Sequence, residues 1–438
     1  MFRNFTNEQL LFLEQMINGF DPENIVENIH RLPIIEGYSL TANGCFYKND
    51  NSGFLTYLME RMFNDRVKYK KMMIESQKKY EETKSIEDAR LVARYKNFQM
   101  AKKIQLNSLY GALSNQWFRW FNFDNAESIT TSGQITILYI ANKMNQFINK
   151  ILKTNGVDYV IASDTDSIYV TFEHMIEKSF GSNRQARNEQ KIVDAIDQFC
   201  NDKIQPKLDE WYQELADMMN AYQQKMKMKR ETIANKGIWK AKKMYILNAW
   251  DIEGVRFDHP KLKIQGIEAV RSSTPHSCRS AIKHSLEIIM NGSEEQLQEY
   301  IREFKEEFSN LSFEDVAFPR GVNGMKKYYH PTRIYGEKTP IHVRGALLFN
   351  NMLIKKDIKV IQPISDGDKI KFAYLKMPNP LHFNVISCPD ELPIEFNLDK
   401  YIDRDMQFET TFLKPLKTIT NVIGWFPEKR GKLEGLFE

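Results

Sequence analysis

The sequence predicts an α+β fold, in which long helices are combined with antiparallel strand hairpins. Residues 52–113 contain no proline and read as two long helices. Two β-rich runs, residues 157–161 and 168–172, flank a short acidic turn, and residues 239–250 alternate in the manner of a strand. At about 100–200 residues per domain, a chain of this length corresponds to roughly two to four domains.

The composition is that of a folded protein and excludes several classes. Of the 438 residues, 42% are hydrophobic and 12% aromatic, which excludes a disordered chain. The net charge of +4 is too small to name a partner, so the distribution of charge matters more. No two cysteines form a C-x2-C pair, so neither a zinc site nor a disulfide framework is predicted. We expect no signal peptide, no membrane partner and a cytoplasmic location, because no apolar stretch approaches the ~20 residues of a membrane span.

The elements follow in order along the chain. An Asn43-Gly44 pair between residues 38–40 and 45–47 predicts a hairpin. Residues 127–153 and most of 189–233 read as helical, and the stripe formed by Leu297, Tyr300, Ile301, Phe304 and Phe308 predicts an amphipathic helix.

A break near residues 81–86 divides the proline-free segment into two antiparallel helices, the second spanning residues 87–110. On the second helix Lys103, Asn107 and Tyr110 recur at helical spacing and so share one face. On the first helix, Arg66 and Lys70 form a basic stripe. Together the two stripes could clamp a polyphosphate, and the alternative is a solvated basic helix pair. Asn, Ser and Gly are poor helix formers, so their clustering at residues 107–111 is not explained by helix propensity and favours a functional role.

The acidic turn is a candidate metal site. Asp164 and Asp166 lie two residues apart at the mouth of the predicted hairpin, and such close like charges repel unless a cation lies between them. Carboxylate oxygens of this kind suit Mg²⁺. The alternative is an ordinary polar turn, since Asp and Ser are common in turns.

The third candidate is a basic segment. Eight of the 61 lysines and arginines lie within residues 225–243, interleaved with aromatic residues, which is plausible for a nucleic-acid surface. A solvated charged face is the alternative. Directly after it, residues 251–253 (Asp-Ile-Glu) look like an acidic motif of a proofreading exonuclease, but no partner acidic motifs follow in order, so that interpretation is not favoured.

Taken together, these motifs resemble family B DNA polymerases, above all the replicative enzymes of T-even-like phages. The segment KKIQLNSLYGALSNQWFRWF resembles motif B, YVIASDTDSIYV resembles motif C, and WKAKKMYILNAWDIEG resembles the primer-contacting strand with its K-K-x-Y signature. The order of the motifs and the separation of motifs B and C by about 50 residues also match. The resemblance covers nearly the whole chain.

The resemblance implies a role for each candidate residue. Asp166 and Asp164 would be catalytic ligands of two Mg²⁺ ions, and Glu231 would be an auxiliary acid. The reaction implied is nucleotidyl transfer from a dNTP to the primer 3′-hydroxyl, with dNTP and primer-template DNA as the substrates. The implied nucleotide-binding residues are Arg66, Lys70, Lys103, Asn107 and Tyr110, and the implied DNA-binding residues are Lys242, Lys243 and Tyr245. At the C-terminus Leu433, Leu436 and Phe437 resemble a tail that binds a sliding clamp, the alternative being local packing.

One departure from the family is informative. Motif A, D-x2-S-L-Y-P, and the exonuclease domain are not in this sequence. We therefore expect the C-terminal half of a right-hand polymerase. Its predicted parts are a palm remnant (1–50), helical-hairpin fingers (51–115), an antiparallel-sheet palm (116–266) and a mostly helical thumb (267–438).

The missing motif implies a partner. An N-terminal polymerase/exonuclease chain would supply the second set of metal ligands, as in the split polymerases of T-even-like phages, and the protein would act in an infected bacterial cell. Two alternatives stay open: a DNA- and clamp-binding subunit without chemistry of its own, and an inactive fragment of a broken gene. The intact acidic turn and phosphate clamp argue against a pure binding module.

Overall fold

The computed structural model describes residues 5–183 and 187–428. These residues combine long helices with small sheets, which confirms the predicted α+β class. The helices are α1 (Asn7–Asn18), α2 (Pro22–Asn28), α3 (Phe54–Thr83), α4 (Ile86–Leu113), α5 (Phe123–Leu152), α6 (Glu173–Phe180), α7 (Glu189–Phe199), α8 (Gln205–Met218), α9 (His276–Asn291), α10 (Glu294–Ser309), α11 (Phe313–Val316), α12 (Met325–Tyr328), α13 (Ile341–Lys355), α14 (Arg404–Phe408) and α15 (Lys414–Thr420).

The strands form five sheets of two or three strands each within the described residues. Their order is β1-β2, β3-β4, β5-β6-β7, β8-β11-β12 and β9-β10. The strands pair in antiparallel fashion in the β1-β2, β3-β4, β8-β11-β12 and β9-β10 sheets. The strands are β1 (Tyr38–Leu40), β2 (Phe46–Lys48), β3 (Val160–Asp164), β4 (Ser167–Val170), β5 (Thr232–Ala241), β6 (Met244–Ile252), β7 (Val255–Gln265), β8 (Phe318–Gly321), β9 (Tyr329–His330), β10 (Ile334–Tyr335), β11 (Lys369–Tyr374) and β12 (Val385–Cys388).

The chain divides into two compact units, each with its own apolar core. The first unit consists of Met1–Asn235 and Ala249–Lys261, and α5 and α8 supply much of its core. The second consists of Lys236–Asn248 and Leu262–Glu438, and α9, α10 and α13 supply many of its buried side chains. In α10 the predicted stripe is confirmed, since Leu297, Ile301, Phe304 and Phe308 are buried. The predicted fingers, palm and thumb ranges stay predictions.

Helices α3 and α4 form the predicted antiparallel pair, connected by two residues. The first helix ends because Lys84 adopts a left-handed conformation at φ +52°, and Ser85 caps the second by accepting a hydrogen bond from the Glu87 N–H at 3.2 Å. Within the described structure the pair buries only two residues, Ser76 and Gln99. Such polar helices depend on cross-helix contacts, here the Lys102–Asp65 ion pair at 2.9 Å and the contact of the Tyr69 and Phe98 rings.

Both predicted hairpins are present, but their strands have different bounds from those predicted. The hairpin at residues 38–48 pairs Leu40 with Phe46 across the turn that contains Gly44. In the second, β3 begins only at Val160 and ends at Asp164, so the carboxylate terminates a strand instead of lying within a longer turn. Before Val160 the hairpin still has the backbone hydrogen bond from the Thr171 N–H to the Tyr159 carbonyl at 2.9 Å.

The prediction that most of residues 189–233 are helical is confirmed, although the last helix ends at Met218 and no helix follows before β5 begins at Thr232. The single strand predicted over 239–250 is a hairpin, because Lys242 and Lys243 form a turn between β5 and β6. Lysine is not a typical turn residue, so the alternation of apolar residues hid this turn.

Within the described residues, no helix combines the length and the apolar character needed to cross a membrane.

Candidate active site

The acidic turn is closed more tightly than an ordinary hairpin loop. Only Thr165 and Asp166 separate the paired residues Asp164 and Ser167. The Asp166 N–H donates to the Asp164 carbonyl at 2.7 Å, which makes a three-residue γ-turn around Thr165, whose φ is +58°. A β-branched residue rarely adopts this conformation, so the turn stores backbone strain. The two carboxylates, with only Thr165 between them, are therefore held close together on a constrained turn.

The surroundings of the turn differ for its two acids. Asp164 is half-buried and accepts a hydrogen bond from Thr165 Oγ1 at 3.0 Å, whereas Asp166 is exposed. Beneath the turn, burial and then the charge of Asp166 raise the pKa of Tyr212 to about 12. Tyr212 on α8 is buried and stays a neutral phenol at physiological pH. No sequence pattern indicates a role for this residue, because one Tyr inside an apolar helix face is not distinctive.

The donor set of the turn fits a hard divalent cation. Two carboxylates with accessible oxygens are the ligands that Mg²⁺ prefers. Among the residues that the structure describes, no group of three or more His, Cys, Asp or Glu side chains could hold a metal ion. The predicted two-ion site would need further ligands beside Asp164 and Asp166, and their role as metal ligands stays a prediction.

The face of α4 predicted to meet the nucleotide is exposed. Lys103, Asn107 and Tyr110 all have exposed side chains, and Lys103 makes no ion pair within the described part of the chain. An added Cβ at Gly111 would meet nothing within 4 Å. Packing within the chain therefore gives no reason for glycine at this position, which leaves the face available to a ligand.

Helix α3 brings its two predicted cations into different environments. Lys102 pairs with Asp65 across the two antiparallel helices, so Arg66 lies within one helical turn of the level of Lys103 along the pair. The Arg66 Nε is buried and has no hydrogen-bond partner among the described residues. Lys70 instead forms an ion pair with Glu253, with 2.5 Å between Nζ and Oε1.

The exonuclease-like acids at residues 251–253 have structural partners. Asp251 is fully buried and forms ion pairs with Arg230 and, at 3.1 Å, with Arg256. Burial lowers the pKa of Arg230, but the carboxylates of Asp251 and Asp197 outweigh it and raise that pKa above its ordinary value. Asp251 therefore pairs with two half-buried arginines, which accounts for this buried carboxylate without an exonuclease site.

Two further predicted features are distant in sequence from the acidic turn. They are Glu231 and the basic turn formed by Lys242 and Lys243. Glu231 is exposed, and its carbonyl accepts a hydrogen bond from the Glu253 N–H at 2.6 Å. Lys242 and Lys243 are exposed in the β5–β6 turn of the second unit, where Lys243 has φ +61°. Tyr245, by contrast, is only 7% exposed, so little of its ring is accessible to DNA.

Sequence reasoning found most of these side chains but missed Glu253 as the partner of Lys70. The predicted clamp-binding residues Leu433, Leu436 and Phe437 lie outside the described residues. The roles predicted for the site residues remain predictions.

Comparison with known proteins identifies relatives of the chain. The family model described as DNA polymerase family B matches residues 4–330. The DNA-directed DNA polymerase of Enterobacteria phage T4 is 37% identical over 351 residues, which cover 77% of this chain and 38% of that protein. The DNA-directed DNA polymerase of Escherichia phage RB69 is 32% identical over 454 aligned positions, covering 92% of this chain and 50% of that protein. The chain thus spans half or less of the length of these two relatives.

Proposed function

The chain belongs to DNA polymerase family B, and from this we propose that it is the catalytic C-terminal part of a DNA-templated DNA polymerase. It would transfer a nucleotidyl group from a dNTP to a primer 3′-hydroxyl. The observation that carries the proposal is the constrained γ-turn that presents Asp164 and Asp166 together.

In this proposal Asp164 and Asp166 would hold the divalent ions. Two bound Mg²⁺ ions would lower the pKa of the primer hydroxyl and stabilise charge on the leaving pyrophosphate. The strained turn at Thr165 limits how far Asp166 can move from Asp164, so little reorganisation accompanies the reaction. The remaining carboxylates would come from motif A. That motif lies outside these 438 residues, either in a preceding part of one polypeptide or in a separate chain.

The helix pair would bind the nucleotide. Lys103 and Arg66 lie within one helical turn of each other along the helix pair and would contact the β- and γ-phosphates, with Lys70 assisting after release from Glu253. The buried, unpaired Nε of Arg66 supports this role, because a buried donor gains most from a charged acceptor. Asn107 and Tyr110, on the same face as Lys103, would line the pocket of the nascent base pair.

The primer-template duplex would lie against the basic turn of the second unit. Lys242 and Lys243 are exposed there and would contact phosphates without reading sequence. A sliding clamp remains a proposed partner through the C-terminal tail.

Primer extension tests the proposal. The purified 438-residue chain is expected to give no extension, and addition of a segment from the same genome that carries D-x2-S-L-Y-P is expected to give Mg²⁺-dependent synthesis. Asp166→Asn should lower the rate by at least about 10²-fold without preventing assembly. Asp202→Asn, an exposed carboxylate on another element, is the control and should change nothing.

Two outcomes would contradict the proposal. Robust synthesis by the single chain would show that motif A is not needed. DNA binding without synthesis in the reconstituted pair would favour a non-catalytic DNA-binding subunit instead.

A further inference from the structure

Helix α5 holds the strand that carries Asp164 through two asparagine side chains, Asn145 and Asn149. They lie one helical turn apart on the same face and are both half-buried. Their side chains reach the backbone of residues 157–160, at the point where the hairpin begins with the hydrogen bond from the Thr171 N–H to the Tyr159 carbonyl at 2.9 Å. The contact therefore acts on the start of the strand whose last residue is the catalytic acid.

Asn145 binds two consecutive backbone N–H groups with one oxygen. Its Oδ1 accepts from the N–H of Tyr159 and from that of Val160, both at 2.9 Å. Its Nδ2 donates to Asp158 Oδ1 at 2.6 Å, which fixes the orientation of the amide. Only an amide offers both functions at this length, because a carboxylate cannot donate and an aliphatic side chain can do neither.

Asn149 pairs with the backbone as a neighbouring strand would. Its Oδ1 accepts from the Val157 N–H at 3.1 Å, and its Nδ2 donates to the Val157 carbonyl at 2.7 Å. The same Oδ1 accepts from Thr154 Oγ1, which also lies 2.9 Å from the hydroxyl of the fully buried Tyr159. The loop from α5 to β3 is therefore anchored to α5 by side chains.

The anchored segment lies next to an irregularity that sets the direction of Asp164. The pairing runs from Val160 opposite Val170 to Ala162 opposite Tyr169, so Ile161 is an extra residue on β3. A bulge changes the face on which all following side chains project. If the start of β3 slipped by one residue, Asp164 would move to the other face of the hairpin.

We propose that Asn145 and Asn149 are positioning residues that fix the register of β3 and thereby the placement of Asp164 and Asp166. This inference rests on the proposed polymerase function for its catalytic consequence. The two asparagines act through the backbone and do not touch the substrate.

The test in the reconstituted polymerase uses Asn145→Leu, which removes both hydrogen-bonding functions at similar size. We expect kcat to fall about 10- to 100-fold with an unchanged KM for nucleotide, because misplacement of about 1 Å costs this much. The Mg²⁺ concentration for half-maximal rate should rise about tenfold. Asn142→Leu, on the exposed side of the same helix, is the control and should match the unaltered protein.

Exchanging the amide and the carboxylate between positions 145 and 158 distinguishes a positioning role of Asn145 from a general effect on stability. Asn145→Asp alone keeps the acceptor but faces the carboxylate of Asp158, and it should lose activity. Combined with Asp158→Asn, the donor and acceptor of this pair are exchanged, and most of the lost rate should return. Wild-type kcat and Mg²⁺ requirement in Asn145→Leu, or failure of the exchange to restore the rate, would overturn the proposal.

A second measurement on the 438-residue chain alone does not depend on polymerase activity. Amide hydrogen exchange at Tyr159 and Val160 should be faster in Asn145→Leu, and Mn²⁺ should broaden the NMR signals of Thr165 and Asp166 only at higher concentration. If the unaltered polymerase failed to extend primers, the proposed function would fall, while these signals would still decide on the register contact. Unchanged exchange at both amides would overturn the inference by itself.

Discussion

Lys70 on α3 and Glu253 in the turn between β6 and β7 form an ion pair whose charged atoms are 2.5 Å apart. Both side chains are partly buried. Lys70 is one of the cations that the family resemblance predicts to bind the phosphates of the incoming nucleotide. In this structure its charge is already neutralised, so a triphosphate must compete with Glu253 for it.

Glu253→Gln is therefore expected to strengthen nucleotide binding. Partly exposed ion pairs contribute about 0.2–1 kcal/mol, so the KM for dNTP should fall by up to about fivefold, and the difference should shrink at high salt. Steady-state primer extension by the reconstituted polymerase measures it. Glu75→Gln, which removes the exposed partner of Lys71 on the same helix, is the matched control. An unchanged or higher KM in Glu253→Gln would show that Lys70 does not bind the nucleotide.

Thr165→Gly should separate stability from activity at the acidic turn. Glycine removes the strain of φ +58°, about 1–2 kcal/mol, but loses about 0.5–1 kcal/mol through the greater freedom of the unfolded chain. The free energy of unfolding should thus be unchanged or up to about 1 kcal/mol higher, as urea denaturation would show.

The rate of nucleotide incorporation should nevertheless fall in Thr165→Gly, because Asp166 becomes less tightly held and Asp164 loses the hydrogen bond from Thr165 Oγ1. Thr165→Ser keeps that hydroxyl and should remain near the unaltered rate. Full activity in Thr165→Gly would mean that the strained turn has no part in catalysis.

The sequence predicted the site better than it predicted the connections around it. The acids Asp164 and Asp166 and the face of Lys103 follow from local spacing, and the structure has them on a turn and on one helix face as expected. The pairing of Lys70 with Glu253 joins residues 183 positions apart, and no local pattern encodes such a contact. The hydrogen bonds of Asn145 to the backbone at the start of β3 come from a side chain on another element, and periodicity does not reveal them either.

Stability at low pH should depend on Glu81 at the end of α3. Burial raises the pKa of Glu81, but hydrogen bonds from Lys261, at 2.7 Å, and Lys84 outweigh this and lower the pKa from 4.5 to about 2. A depressed folded-state pKa stabilises the protein above the ordinary pKa, and this contribution is lost as the pH falls from about 4.5 towards 2.

Glu81→Gln should therefore lower the free energy of unfolding by about 1 kcal/mol at pH 7 and by progressively less between pH 4.5 and 3. Urea titrations at several pH values measure the convergence. Glu210→Gln, which removes an exposed ion pair with Lys207, should change stability by no more than a few tenths of a kcal/mol. A constant difference across the pH range would contradict the role assigned to Glu81.

Gly266→Ala is expected to displace the basic turn of the second unit and so weaken DNA binding. Gly266 has φ +67°, and a Cβ there would lie 2.2 Å from the carbonyl oxygen of Lys243, far inside van der Waals contact. Because the obstructing atom belongs to the backbone, the Lys242–Lys243 turn itself must shift. If both lysines contact phosphates, the affinity for primer-template duplex should fall, and the slope of log K against log salt should lose about one unit per lost contact.

Fluorescence anisotropy at several salt concentrations measures both quantities, and Gly321→Ala is the control, since an added Cβ there meets nothing within 4 Å. A lower affinity with an unchanged salt slope would mean that the turn contacts the DNA by other means than its lysines.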